Sequence, residues 1–120
     1  MEKVVIVLLI ILILVTLIIC NFPLAIVEGN SMYPTYKEGS VLLATRLFNI
    51  ENLKVGDICI YHRGENIVIK RITRIQVDVE SNTYSFYFEG DNAENSYDSR
   101  HYGYVNEEMI IAKVLWKLKY

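Results

Sequence analysis

Ser31 and Lys70 are the two residues whose types and surroundings best suit a reaction. Ser31 sits in Gly29-Asn30-Ser31-Met32-Tyr33-Pro34-Thr35, where most residues are small, polar or turn-forming and Met32 is the one flexible apolar side chain. Pro34 fixes its own φ and biases Tyr33 towards an extended conformation, while Gly29 lets the backbone approach a bulky neighbour. A rigid turn of this kind can hold a hydroxyl beside an N–H, the relation required of a nucleophile and its oxyanion donor. Taken alone it also fits a plain surface turn. Lys70 lies in Ile67-Val68-Ile69-Lys70-Arg71-Ile72. In a strand it shares a face with Val68 and Ile72, and Arg71 points the other way towards solvent or an ion pair. An ammonium on an apolar face loses hydration, its pKa falls, and the neutral amine becomes a general base. The competing reading is an edge lysine that keeps its head in water.

A third stretch, Gly90-Asp91-Asn92-Ala93-Glu94-Asn95-Ser96-Tyr97-Asp98-Ser99-Arg100, is dense in turn formers and hydrogen-bonding side chains. It reads either as an exposed loop with a weak Asp98–Arg100 surface pair, or as a buried polar support that orients a catalytic amine. A Ser-His-Asp arrangement would need His62 or His101 with Asp91 or Asp98, and nothing sets either histidine apart from surface residues.

These segments need elements to carry them. Val4 to Cys20 is apolar except for Thr16, and as a helix it spans about 25 Å, the thickness of a bilayer core. Large residues at Pro23-Leu24-Ala25 and Ile26-Val27-Glu28-Gly29 do not suit a small-x-small cleavage site, so an uncleaved anchor is expected. Lys3 before it places the N-terminus in the cytoplasm and the remainder outside, on a single-pass cell-membrane protein. Residues 1–22 then form a cytoplasmic stub and anchor, and residues 23–120 a β-rich catalytic domain. Within the latter, strands are expected at Leu24–Val27, Val41–Leu47, Asp57–Tyr61, Ile67–Val79, Thr83–Phe88 and Met109–Tyr120. His62 to Asn66 reads as a hairpin loop and Gly90 to Gly103 as irregular. The fold class is mainly β: one transmembrane helix followed by a small antiparallel sheet.

Composition narrows the function. Of 120 residues 52% are hydrophobic, and nearly all charged residues, 22% of the chain, come after Val27, as in a membrane segment joined to a soluble module. A net charge of −2 offers no basic patch for nucleic acid. Cys20 and Cys59 form no CxxC pair, so both are expected to be plain buried residues, with no metal and no cofactor.

Taken in order behind an apolar N-terminal segment, Gly29-Asn30-Ser31-Met32-Tyr33-Pro34-Thr35, Gly56-Asp57, Ile69-Lys70-Arg71-Ile72, and Gly90-Asp91-Asn92 with Ser96-Tyr97-Asp98-Ser99-Arg100 and Gly103 resemble the motifs of bacterial type I signal peptidases. The resemblance implies a serine–lysine dyad, with Ser31 as acylated nucleophile and Lys70 as general base. It implies that Ser96 hydrogen-bonds the lysine, that Asp98 and Arg100 form a supporting ion pair, and that the Ser31 N–H is an oxyanion donor. Gly29 stands where some members carry a second, hydroxyl donor. The implied partners are the lipid bilayer and exported preproteins with small-x-small sites, bound by a monomer as an added strand against Ala25–Glu28 and Ile67–Ile69. Val27, Met32, Tyr36, Val68 and Ile69 would line the pockets. Only about twenty residues separate Lys70 from Gly90, so this is a short member. Two other readings compete: a self-cleaving repressor-type serine–lysine protease, and a catalytically silent, membrane-tethered β module that binds extended peptides.

Overall fold

The apolar run folds because a helix satisfies its own backbone while leaving its side chains to an apolar solvent. In the computed structural model, which describes residues Met1–Lys119, helix α1 spans Glu2–Asn21 and buries none of its residues against the rest of the chain. It is long and apolar enough to cross a membrane, with a mean hydropathy of 3.4. Its polar side chains turn inward on the backbone: Thr16 donates to Leu12 O and Asn21 Nδ2 to Leu17 O, each at 2.8 Å. Pro23, which has no N–H to offer, ends it. Cys20 is exposed on this helix rather than buried as expected, because α1 has no protein neighbour to cover it.

The remaining chain forms one antiparallel sheet of seven strands: β1 Leu24–Ile26, β2 Val41–Thr45, β3 Ile58–Arg63, β4 Asn66–Asp78, β5 Thr83–Glu89, β6 Val105–Asn106 and β7 Ile110–Lys119. Their spatial order is β1-β2-β7-β3-β4-β5-β6, so the last strand enters the middle of the sheet. Position 120 of the expected closing strand lies outside the described residues. The short helix α2 covers Ser99–Tyr102. Two expectations are corrected. His62 and Arg63 belong to β3, pairing with Ile67 and Asn66, so the hairpin turns on Gly64 and Glu65 alone. Their polar character reflects an exposed ladder end and not a loop. The stretch from Gly90 to Gly103 is not wholly irregular, because Asp98 caps α2 by accepting from Arg100 N while His101 Nδ1 accepts from Asp98 N.

The period of two along β3 divides the interior into two cores. Ile58 and Ile60 face a core of Val27, Met32, Tyr36, Leu42, Ala44, Ala112 and Val114. Cys59 and Tyr61 face the other, with Leu53, Ile72, Phe86, Phe88 and Val105. Tyr61 stacks on Phe88 with centroids 4.3 Å apart. Each such buried aromatic contributes on the order of 1.5–3 kcal/mol.

Strand β4 is long enough to serve two partners in succession. Asn66–Arg71 pairs with β3 and Arg71–Asp78 with β5, so the second edge of Asn66–Lys70 has no strand beside it. Strand β1 is likewise an edge, bonded only to β2. These two free edges border the site.

Candidate active site

The Ser31 turn is held from both sides. Tyr33 N donates to Asn30 O and Tyr36 N to Met32 O, which winds the segment back on itself, and Met32 is driven to 1% exposure in the first core. From across the molecule Asn92 N donates to Ser31 O at 2.9 Å, and Asn92 Nδ2 to Asn30 O at 3.0 Å. Thr35 Oγ1 donates to Asp91 Oδ2, and Asp91 is in turn gripped by Arg71 through Nε and Nη2, both at 2.8 Å. The Arg71 pairing holds the Asp91 carboxyl below its ordinary pKa against the opposing effect of burial, and the Thr35 hydroxyl assists. Arg71, read from sequence as a solvent or ion-pair residue, is thus the post of a clamp that fixes the far end of the serine turn.

Lys70 is 6% exposed, and its Nζ lies 2.8 Å from Ser31 Oγ and 3.2 Å from Ile69 O. Burial lowers its pKa, and the charge of Asp98 partly opposes that. A desolvated amine at this distance can take the proton of the hydroxyl. Among the described residues the Ser31 N–H has no hydrogen-bond partner, which leaves it available to an oxyanion.

Asp98 is the centre of the support. It is fully buried and accepts from Ser96 Oγ (2.5 Å), Gly90 N (2.8 Å), Arg100 N (3.1 Å), Arg100 Nε (3.0 Å) and Arg100 Nη2 (2.6 Å). Burial would raise its pKa, but the Arg100, Ser96 and Gly90 donors hold the carboxyl well below the ordinary carboxylate range. The Asp98–Arg100 pair is therefore half-buried, with Asp98 in the interior as the support and Arg100 reaching in to it from the surface. Ser96 differs from its expected role: its hydroxyl is spent on Asp98, not on Lys70. Gly90 is where support and nucleophile touch, since a Cβ there would lie 2.6 Å from Ser31 O and 2.2 Å from Ser96 Oγ. Neither Gly90 nor the Asp91–Thr35–Arg71 clamp was singled out by role in the sequence. The density of turn formers after Glu89 was the available signal.

Gly29 is used differently from the expectation. Nothing lies within 4 Å of a Cβ placed on it, and the residue is needed for its φ of +74°. His62 is exposed, and His101 is occupied with the Asp98 N–H, so no Ser-His-Asp arrangement exists among the described residues. The buried Cys59 thiol is pushed up to about 12 by burial and the nearby Asp57, and is no nucleophile.

An open groove of about 630 Å³ leads to Ser31 and Lys70 between the two free edges, with Ala25–Glu28 on one wall and Glu65–Ile69 on the other. Val27, Met32, Val68 and Ile69 line it as expected, and so do Ile60 and Tyr97. Tyr36 does not: it packs into the first core, where the Tyr36 N to Met32 O bond draws it back behind the turn.

A Peptidase S24-like family model matches residues 21–115. The chain belongs to the Peptidase S24-like family. No curated protein matches it. The match begins at the end of α1 and runs into β7, so it covers the groove, Ser31, Lys70 and the Asp98 support. Membership agrees with a serine peptidase of the serine–lysine type and with the antiparallel sheet described above.

Proposed function

We propose that this Peptidase S24-like protein is a membrane-bound serine endopeptidase that removes N-terminal signal peptides from exported preproteins. The observation that carries the reading is the 2.8 Å approach of Lys70 Nζ to Ser31 Oγ at the end of a strand-wide groove, ten residues past an apolar helix. In this reading Ser31 is the nucleophile and Lys70 the base. Neutral Lys70 takes the Ser31 proton as Oγ bonds to the scissile carbonyl carbon, and the Ser31 N–H receives the developing oxyanion. The resulting ammonium gives its proton to the departing amine, the C–N bond breaks, and an ester to Ser31 remains. Water, deprotonated by Lys70, then hydrolyses the ester and restores both residues. Ser96, Asp98 and Arg100 act as positioning residues, and Gly29 supplies the backbone turn that brings Ser31 to the groove.

An extended substrate would add a strand to both free edges, as β-augmentation requires. Val27, Met32 and Ile69 leave shallow apolar space that suits small side chains at the first and third positions before the cut, and Val68 lies on the other face. Helix α1 as the anchor, with the N-terminus cytoplasmic and the sheet on the outer face, sets the groove at the membrane surface where preproteins emerge. Leu24, Ile26, Trp116 and Leu118 are exposed on β1 and β7, beside the end of the helix, and suit contact with lipid. The division at residues 22/23 and a monomeric state belong to the same proposal.

The family description also fits a self-cleaving repressor-type protease. The two part on whether a separate chain is cut. The detergent-solubilised protein is mixed with a preprotein bearing an Ala-x-Ala site, and the products are weighed by mass spectrometry. Cleavage after the second alanine, lost in Lys70→Ala, supports signal peptide removal. An intact preprotein alongside fragments of the protein itself would favour the self-cleaving reading.

A further inference from the structure

Tyr97 is a large ring left over from the dyad and its support, yet it lines the same groove as Ser31 and Lys70. It is 62% exposed, and three neighbours hold it. Arg63 Nη2 donates to its hydroxyl at 3.2 Å, Tyr102 meets it edge-on at 5.4 Å, and His101 lies against it at 4.9 Å. Arg63 is itself fixed, with its guanidinium carbon 3.7 Å from the centre of the Tyr102 ring. The ring is therefore preorganised on one side and open to the groove on the other.

Its side of the groove can be read from β4. Ile69 packs against the first core, to which Val27 and Met32 belong, whereas Val68 packs against the second, as Tyr102 does. Tyr97 rests on Tyr102, so it stands on the Val68 face. A peptide extended between the two walls must alternate in the same way. If its first and third residues before the cut turn towards Met32 and Val27, its second residue turns towards Tyr97.

We propose that Tyr97 is a specificity-determining residue that selects uncharged, bulky apolar or aromatic side chains at the second position before the cleaved bond. This rests on the endopeptidase reading above and gives content to a position that the small-x-small pattern leaves open. A phenyl group that covers about 50–60 Å² of apolar surface, at ~25 cal/mol/Å², corresponds to roughly a tenfold preference.

The test uses peptides with Ala-Ala-Ala and Ala-Phe-Ala before the cut, compared as a ratio within each protein. The parent is expected to show kcat/KM about tenfold higher for phenylalanine, and Tyr97→Ala a ratio near one. A ratio near one in the parent, or one unchanged in Tyr97→Ala, overturns the proposal. The affinities of the same peptides for Ser31→Ala, measured by calorimetry, separate this proposal from the activity. If the parent cleaves neither peptide but Ser31→Ala binds phenylalanine about tenfold more tightly, and Ser31→Ala/Tyr97→Ala does not, the Tyr97 contact stands and the peptidase reading falls. Equal binding of both peptides overturns the contact whatever cleavage shows.

Discussion

Gly90→Ala is a one-methyl perturbation aimed at the junction between the nucleophile and its support. The added Cβ would lie 2.2 Å from Ser96 Oγ, 2.6 Å from Ser96 Cβ and 2.6 Å from Ser31 O. One of these obstacles is backbone, and the Ser96 hydroxyl is tied to Asp98, so neither side retreats freely. Gly90 itself is pinned by its N–H on Asp98 and by Arg100 Nη2 on its carbonyl. To reach ordinary contact the Ser31 backbone must move by roughly 1 Å, and Oγ moves with it away from Lys70. A displacement of that size costs about 10²-fold in turnover, or about 2.7 kcal/mol of barrier. Overpacking adds a stability loss of about 1–3 kcal/mol, which in a domain near 100 residues lowers the unfolding midpoint by some 5–15 °C. The assay is steady-state cleavage of an Ala-x-Ala peptide beside a thermal melt. The expected signature is a large fall in kcat with a smaller change in KM, because the groove walls at Ala25–Glu28 and Glu65–Ile69 are untouched. A folded variant with kcat within about twofold of the parent would refute the argument that Gly90 sets the position of Ser31.

Three further outcomes follow from the buried charges. Cleavage should rise with pH through the lowered Lys70 pKa and level off below the ordinary lysine value of 10.5, and full activity well below neutrality would contradict a neutral-amine base. Lys70→Met should abolish cleavage yet raise the unfolding midpoint at neutral pH, since the folded parent holds the buried ammonium at a cost. The folded pKa lies below the unfolded one, so that cost is present in full below the folded value and gone above 10.5; melts should therefore converge as pH rises. Asp98→Asn should destabilise by about 1–3 kcal/mol, because the amide cannot accept all five hydrogen bonds of the carboxylate and leaves buried donors unsatisfied. With its folded pKa depressed, the Asp98 contribution is complete above the ordinary carboxylate value of 3.8, and the gap between variant and parent should narrow only as pH falls below it.

The sheet was legible in the chain because its strands alternate, and α1 because nothing in it is charged between Lys3 and Asn21. Pairing of Ser31 with Lys70 could be proposed because their segments resemble ordered family motifs. Local patterning could not reveal the use made of Ser96, which depends on where Asp98 comes to rest after α2 closes its cap. Arg71 and Thr35 were equally hidden. Their meeting at Asp91 joins segments far apart in sequence, and each residue alone is an ordinary polar side chain. Tyr36 misled because an aromatic near a nucleophile suggests a pocket wall, whereas the turn folds it into the core. His62 and Arg63 misled for the opposite reason, being polar residues that complete a ladder.

The entry of β7 between β2 and β3 has a consequence for biosynthesis. A ribosome releases the chain from its N-terminus, so the serine turn, the lysine strand and the Asp98 support all emerge before the strand that unites their halves of the sheet. Until Ile110–Lys119 arrives, β1–β2 has no bonded neighbour on its inner side, and the groove lacks one of its two banks. These distant pairings must close late. In this order of synthesis the two walls of the groove come to share one continuous sheet only when β7 is added.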